Sequence, residues 1–250
     1  MTDTQTRFLA GGLLLLCGCP AATPFAFNET ARVLRSGQVA VTATGGVGGQ
    51  VDKQPQGEKN PAVGGGGLRI RGGIGGGQEL GVDTLLAGYS KDGVLEFSAG
   101  GKLAYKVSLA PAAAFLLGVG LTYRRMTLDM PPIRSTVANS LSPGGDIGVV
   151  LSPPRPLLRV LVPYLGFRLG LFASFIGYDE SSFNLSDGTF GLFTPQVAPG
   201  LAIVPAKWLK LTAELGYLGS LTFQVQGKKP DHSYSSNLYG SAAATFVFGE

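Results

Sequence analysis

The sequence predicts an all-β fold: a single antiparallel up-and-down barrel crossing a membrane with about ten strands, roughly eight to twelve being compatible with such barrels. Three observations predict it. Apolar and polar residues alternate over long stretches, the period-two signature of strands with unlike faces. Charged residues make up 14% of the chain, against about 25% in a typical soluble domain. No window after residue 19 holds 18 consecutive apolar residues, so any membrane crossing falls to strands and not to helices. Glycine, 39 of 250 residues, suits the bends and tight turns of such a barrel. A net charge of +4 is too weak to argue for nucleic acid.

Residues 1–18 read as a signal peptide. A polar start carrying Arg7 precedes an apolar run from Phe8 to Leu16, too short for a mature spanning helix of roughly 20 residues. The run ends in Leu16-Cys17-Gly18-Cys19, which resembles the bacterial lipoprotein signal, with a small residue before the cysteine that is acylated. The resemblance implies lipidation of Cys19, residues 19–36 as a lipidated tether and residues 37–250 as the barrel. The absence of an acidic residue at Pro20 and Ala21 implies sorting to the outer membrane. An ordinary signal peptide cut near Ala21 or Ala22 is the alternative. Either way the mature chain has no cysteine pair, hence no disulfide framework or cysteine metal site.

Ten segments alternate. The first three are Val39–Gly48, Leu68–Gly73 and Leu80–Gly88. In the fourth, Leu95, Phe97, Ala99, Leu103 and Tyr105 oppose Glu96, Ser98, Lys102 and Lys106. In the fifth, Phe115, Leu117, Val119, Leu121 and Tyr123 oppose Gly118, Gly120, Thr122 and Arg124. The sixth is Ile147–Leu151. In the seventh, Leu161, Leu165, Phe167, Leu169 and Leu171 oppose Tyr164, Gly166 and Arg168. The eighth, Phe193–Val204, is weakened by Pro195 and Pro199, which cannot donate to a ladder. The ninth, Leu209–Gln224, is the clearest: Leu209, Leu211, Ala213, Leu215 and Tyr217 oppose Lys210, Thr212, Glu214 and Gly216, with Leu218 the one large apolar intruder. The tenth runs from Leu238 to Phe248.

The gaps alternate too. Gly49–Gly64, Lys91-Asp92-Gly93, Arg125–Ser142, Tyr178–Gly188 and Val225–Ser235 are polar, while Gly75-Gly76-Gly77, Ser108–Pro111, Ser152–Pro156 and Pro205–Trp208 are short. Long loops at one end and tight turns at the other are expected, with only Lys91-Asp92-Gly93 short where length is wanted. An even strand count puts both termini at the short-turn end. Tyr178 and Trp208 fall near segment ends, where interfacial aromatics belong.

Thr30–Gly37 leading into an alternating strand, and Gly67-Leu68-Arg69-Ile70-Arg71 turning through glycines into Gln78–Asp83, resemble the small outer-membrane β-barrel proteins of bacteria. The closing Ala244-Thr245-Phe246-Val247-Phe248 resembles the terminal signal of that family, although Gly249 and Glu250 follow the last aromatic. The resemblance implies outer-membrane lipids and the barrel-assembly machinery as partners. It implies periplasmic termini and an architecture, but no particular activity.

If the apolar faces look outward, the lumen holds Arg69, Arg71, Glu79, Asp83, Glu96, Lys102, Lys106, Arg124, Asp146, Arg168, Lys210 and Glu214. Mixed signs in a narrow barrel are expected to pair and plug it. The role expected is structural or surface-interacting. The alternatives are a narrow channel for small or apolar solutes, weakly anion-preferring, and a soluble periplasmic lipocalin-like lipoprotein with the faces reversed. No cofactor is implied. The one histidine, His232, and Asp231 are the only candidates for chemistry. Adjacent residues in one loop are not a triad, so no enzyme is expected. The glycine clusters lack the spacing of phosphate loops.

Overall fold

In the computed structural model, residues 27–51, 62–91, 94–130, 133–179, 182–193, 195–226 and 229–249 are described. Alternation along these segments makes strands throughout: β1 (Val39–Gln50), β2 (Ala62–Gly75), β3 (Gln78–Lys91), β4 (Val94–Ala110), β5 (Ala113–Met130), β6 (Ile133–Leu151), β7 (Leu161–Asp179), β8 (Ser182–Phe193), β9 (Gln196–Ala206), β10 (Leu209–Gln226) and β11 (Lys229–Phe248). Neighbours are antiparallel, and β1 lies between β2 and β11, with Val39 opposite Gly72 on one side and Phe248 on the other. β11 also pairs with β10, so the sheet closes on itself and leaves no open edge.

Eleven strands fill ten positions around the barrel. β8 lies beside the Phe172–Asp179 part of β7, and β9 beside Leu161–Arg168. Both face β10. Pro195 stands outside the strands between them, so the proline that weakened the eighth segment divides it. Pro199 is accommodated within β9 opposite Leu165.

The faces are apolar outward and polar inward. Leu215 is 71% exposed while its neighbour Glu214 is 4% exposed. Leu68, Ile70, Val82, Leu103 and Val119 are likewise exposed, whereas Arg69, Arg71, Asp83 and Lys102 are buried. This overturns the lipocalin-like alternative, which needs the opposite orientation. Leu218, the apolar intruder, is buried on the inner face.

The expected long loops are corrected. β5, β6, β7, β10 and β11 run 18, 19, 19, 18 and 20 residues, although about 9–11 suffice to cross a bilayer. Most of the polar stretches Arg125–Ser142, Tyr178–Gly188 and Val225–Ser235 therefore belong to hairpins that continue past the apolar belt. Their polarity reports contact with water, not loss of the ladder. The expected short-turn end instead carries a nine-residue connection, 152–160, in which Leu158 and Arg159 take positive φ. Asp231 and His232, expected in a loop, sit in β11 opposite Gln224 and Phe223.

Glycines on the inner face make room for rings. A Cβ on Gly200 would lie 2.1 Å from the Tyr164 ring, and one on Gly216 2.1 Å from the Tyr239 ring. Gly200→Ala is expected to cost about 1–3 kcal/mol by overpacking, read as a lower urea midpoint. Gly64→Ala, with nothing within 4 Å of its Cβ, is the control and stays within about 0.5 kcal/mol.

Candidate functional site: a lumen filled by the N-terminal segment

Of residues 27–36, expected as part of a tether, residues 27–31 are buried inside the barrel, while 32–36 are exposed or half-buried and lead out to its rim. The Gly37 amide donates to the Gly73 carbonyl at the rim, and the chain preceding it runs inward. Phe27, Asn28, Glu29, Thr30 and Ala31 are all buried, Phe27 completely. A short irregular segment can be buried only where its backbone finds partners, and inward-facing side chains of the strands, with Ser152 just past β6, supply them. The amides of Phe27 and Asn28 donate to the two carboxylate oxygens of Glu214, each at 2.9 Å. Arg69 donates to the Phe27 carbonyl at 2.7 Å. The Ala31 amide donates to the Ser152 hydroxyl at 2.9 Å, Lys106 to the Arg32 carbonyl at 2.7 Å, and the Leu34 amide to Glu79.

Side chains add two further anchors. The Phe27 ring lies under the Arg168 guanidinium, 4.2 Å from its carbon to the ring centroid. Gly166 permits this, because a Cβ there would meet the ring at 2.8 Å. Phe27 also joins an apolar cluster with Leu116, Val150, Val162, Tyr164, Ala198, Ala202 and Tyr239. Glu29 meets Arg69 at 2.8 Å, Arg71 at 3.4 Å and Lys106 at 3.6 Å.

From Glu29 the charges run on as a chain. Arg69 and Arg71 both reach Asp83, Lys102 lies 3.8 Å from Asp83 and 2.9 Å from Asp146, and Arg168 lies 3.2 Å from Asp146. Since Arg168 covers Phe27, the chain returns to the segment where it started. Lys106 also lies 3.8 Å from Glu79. Glu96 and Arg124 form another ion pair, and Lys210 lies half-buried on the inner side of β10. Glu214 accepts from the hydroxyls of Tyr164 (3.0 Å) and Tyr239 (2.8 Å) besides the two amides.

The alternation places the strand charges, and Tyr164 and Tyr239 with them, on one face, but it does not bring Phe27 and Glu29 into the lumen. The available signal was Phe27-Asn28-Glu29, an aromatic and an acid flanking an otherwise unexplained strandless stretch. Cys19 lies outside the described residues. Tyr178 lies in β7 with its side chain outside them, as are the side chains of Asp231 and His232. Trp208 is 57% exposed beside Phe246, the rings stacked at 6.3 Å. As the sole tryptophan of the chain, it is a clean reporter. In vesicles its emission should be quenched most by nitroxides placed near the headgroups, and quenching by aqueous iodide alone would count against an interfacial position.

Glu29 lies on the inserted segment, outside the spanning strands. Burial pushes its carboxyl up, but the charges of Arg69, Lys106, Arg71 and Lys210 outweigh that and hold it well below the usual carboxylate range. A depressed carboxylate stabilises the inserted state above its ordinary value of about 4.5, and the contribution shrinks as pH falls below that. The hold on the segment is therefore expected to weaken progressively as pH falls below about 4.5, and Glu29→Gln is expected to lose this part of the pH dependence. Conductance titrated from pH 7 downward checks it.

The fold and the lumen define a membrane-spanning type of β-barrel, closed, apolar outside and charged inside. No protein-family model and no curated protein matches the chain. Among solved structures, it is similar to the translocator domain of the autotransporter NalP from Neisseria meningitidis, with 12% identity, 98% of each chain covered and a TM-score of 0.49. It is also similar to the outer membrane protease OmpT from Escherichia coli, with 10% identity, 88% of this chain and 100% of that one covered, and a TM-score of 0.45. For the outer membrane protein OprG from Pseudomonas aeruginosa the figures are 9% identity, 88% and 99% covered, and 0.40.

Proposed function

We propose that the protein is an outer-membrane barrel, not an enzyme, whose lumen is held shut by its own N-terminal segment, and that it serves as a structural or surface-interacting element. The observation that carries this reading is the burial of residues 27–31 inside the barrel, with Glu29 at the junction of three cations. The termini lie at the periplasmic end in this reading. A lipid on Cys19 fits the same geometry. Eight residues reach up to about 27 Å, while Arg69, which holds Phe27, is three strand residues from Gly72, about 10 Å. Intact-mass measurement of the membrane-extracted protein tests the lipid.

Planar-bilayer recording tests the closed lumen: the wild-type protein at neutral pH is expected to be silent, and steady conductance would overturn the reading. A gated channel is the second reading, favoured by one observation. The segment closing the lumen belongs to no strand, so it can leave without unravelling the wall.

A further inference from the structure

The contacts inside the lumen are of a particular kind. Six of them go to the main chain of the inserted segment: the amides of Phe27, Asn28, Ala31 and Leu34 and the carbonyls of Phe27 and Arg32. Main-chain contacts are indifferent to sequence and can supply affinity, while side-chain pockets set the choice of peptide. Here two such pockets exist. One is the slot over Gly166 and under Arg168 that takes the Phe27 ring. The other is the triangle of Arg69, Arg71 and Lys106 that takes the Glu29 carboxylate. Between them, Asn28 is held by the Thr212 hydroxyl at 3.1 Å and reaches Ser241 at 3.4 Å.

We propose that the lumen is a peptide-binding cleft that recognises an aromatic-Asn-acidic segment turned at a left-handed asparagine (φ +44° at Asn28), with Phe27-Asn28-Glu29 as its resident occupant. This rests on the closed-lumen reading and adds to it a ligand class. The wall, not the covalent connection at Gly37, supplies the specificity. A peptide of the same sequence offered in trans should therefore occupy a vacated cleft. In the intact protein the resident segment competes as a tethered ligand at an effective concentration on the order of millimolar, so outside peptides are kept out.

The test uses the full chain carrying Phe27→Ala and Glu29→Lys, in vesicles, with a fluorescein-labelled peptide spanning residues 22–36. Anisotropy should report binding to the variant at least about 100-fold tighter than to the wild type, and the bound peptide should block the variant's conductance. A peptide carrying the same two substitutions should do neither. A variant that conducts yet ignores the wild-type peptide overturns the peptide-binding inference and leaves the closed-lumen reading standing. A variant that neither conducts nor binds overturns both. Should the double substitution prevent insertion, Phe27→Ala alone vacates the slot over Gly166 with the wall and the charges intact and is expected to admit the peptide; its failure to do so counts against the proposal equally.

Discussion

Conducting steps should appear when Phe27→Ala and Glu29→Lys are combined in a barrel that is silent as the wild type at neutral pH. Truncating a buried phenylalanine costs about 3–5 kcal/mol, and removing one partner of a buried ion pair costs a similar amount. The two positions share Arg69 and the charge chain, so the costs will not add fully. Even the lower figure alone exceeds two factors of ten in the balance between inserted and released segment, at about 1.4 kcal/mol per tenfold. The lysine also turns the contact with Arg69, Arg71 and Lys106 from attraction to repulsion. The opened lumen presents seven basic side chains (Arg69, Arg71, Lys102, Lys106, Arg124, Arg168 and Lys210) against five acidic ones (Glu79, Asp83, Glu96, Asp146 and Glu214). Current through it should prefer anions, as reversal potentials in a salt gradient would show. Cation preference, or silence from a correctly inserted variant, would remove the N-terminal segment as the closing element.

The wall of this barrel was legible because a strand has a strict period of two. Once Leu211 and Leu215 are taken to face outward, Lys210 and Glu214 must face inward, and a slip of one residue would invert the whole set. The same rule placed Arg69, Asp83, Lys102 and Arg168 on one inner surface from local pattern alone. The inserted segment obeys no period. Its burial depends on Glu214, 187 residues away from Phe27 in sequence, and on Arg71, 42 residues from Glu29, and no local window contains those partners. The hairpins beyond the belt were misread for a different reason. Hydropathy reports what surrounds a side chain, whereas the ladder depends on the backbone, so polar residues 133–140 or 229–235 can continue a strand once it has left the apolar belt. Pro195 shows a third limit. A proline marks where a ladder is interrupted, but only the neighbouring strands decide whether the chain turns away or resumes as β9.

Asp83→Asn is expected to cause the largest loss of barrel stability among single substitutions in the charge chain. Asp83 accepts from Arg69 at 3.3 Å and from Arg71 through both its oxygens, and it lies 3.8 Å from Lys102. Asparagine keeps the shape, so no cavity opens and packing changes little. What changes is charge: three buried cations lose their shared anion, and Glu29 and Asp146 remain as the carboxylates in ion-pair contact with them. Breaking a buried pair in this way costs about 3–5 kcal/mol, because the remaining charge stays desolvated. The urea midpoint should fall accordingly, and the heat-modified band should appear at lower temperature. Adding Lys102→Met should recover part of the loss, since it removes one surplus cation while keeping an unbranched side chain. That recovery is the signature of charge imbalance; a double variant no more stable than Asp83→Asn would mean that the network acts through hydrogen-bond geometry instead. Glu96→Gln removes an acid that meets Arg124, where Asp83 meets three cations, and should therefore cost less than Asp83→Asn. If the two losses prove equal, the linked arrangement of Glu29, Arg69, Arg71, Asp83, Lys102, Asp146 and Arg168 contributes no more than isolated pairs would.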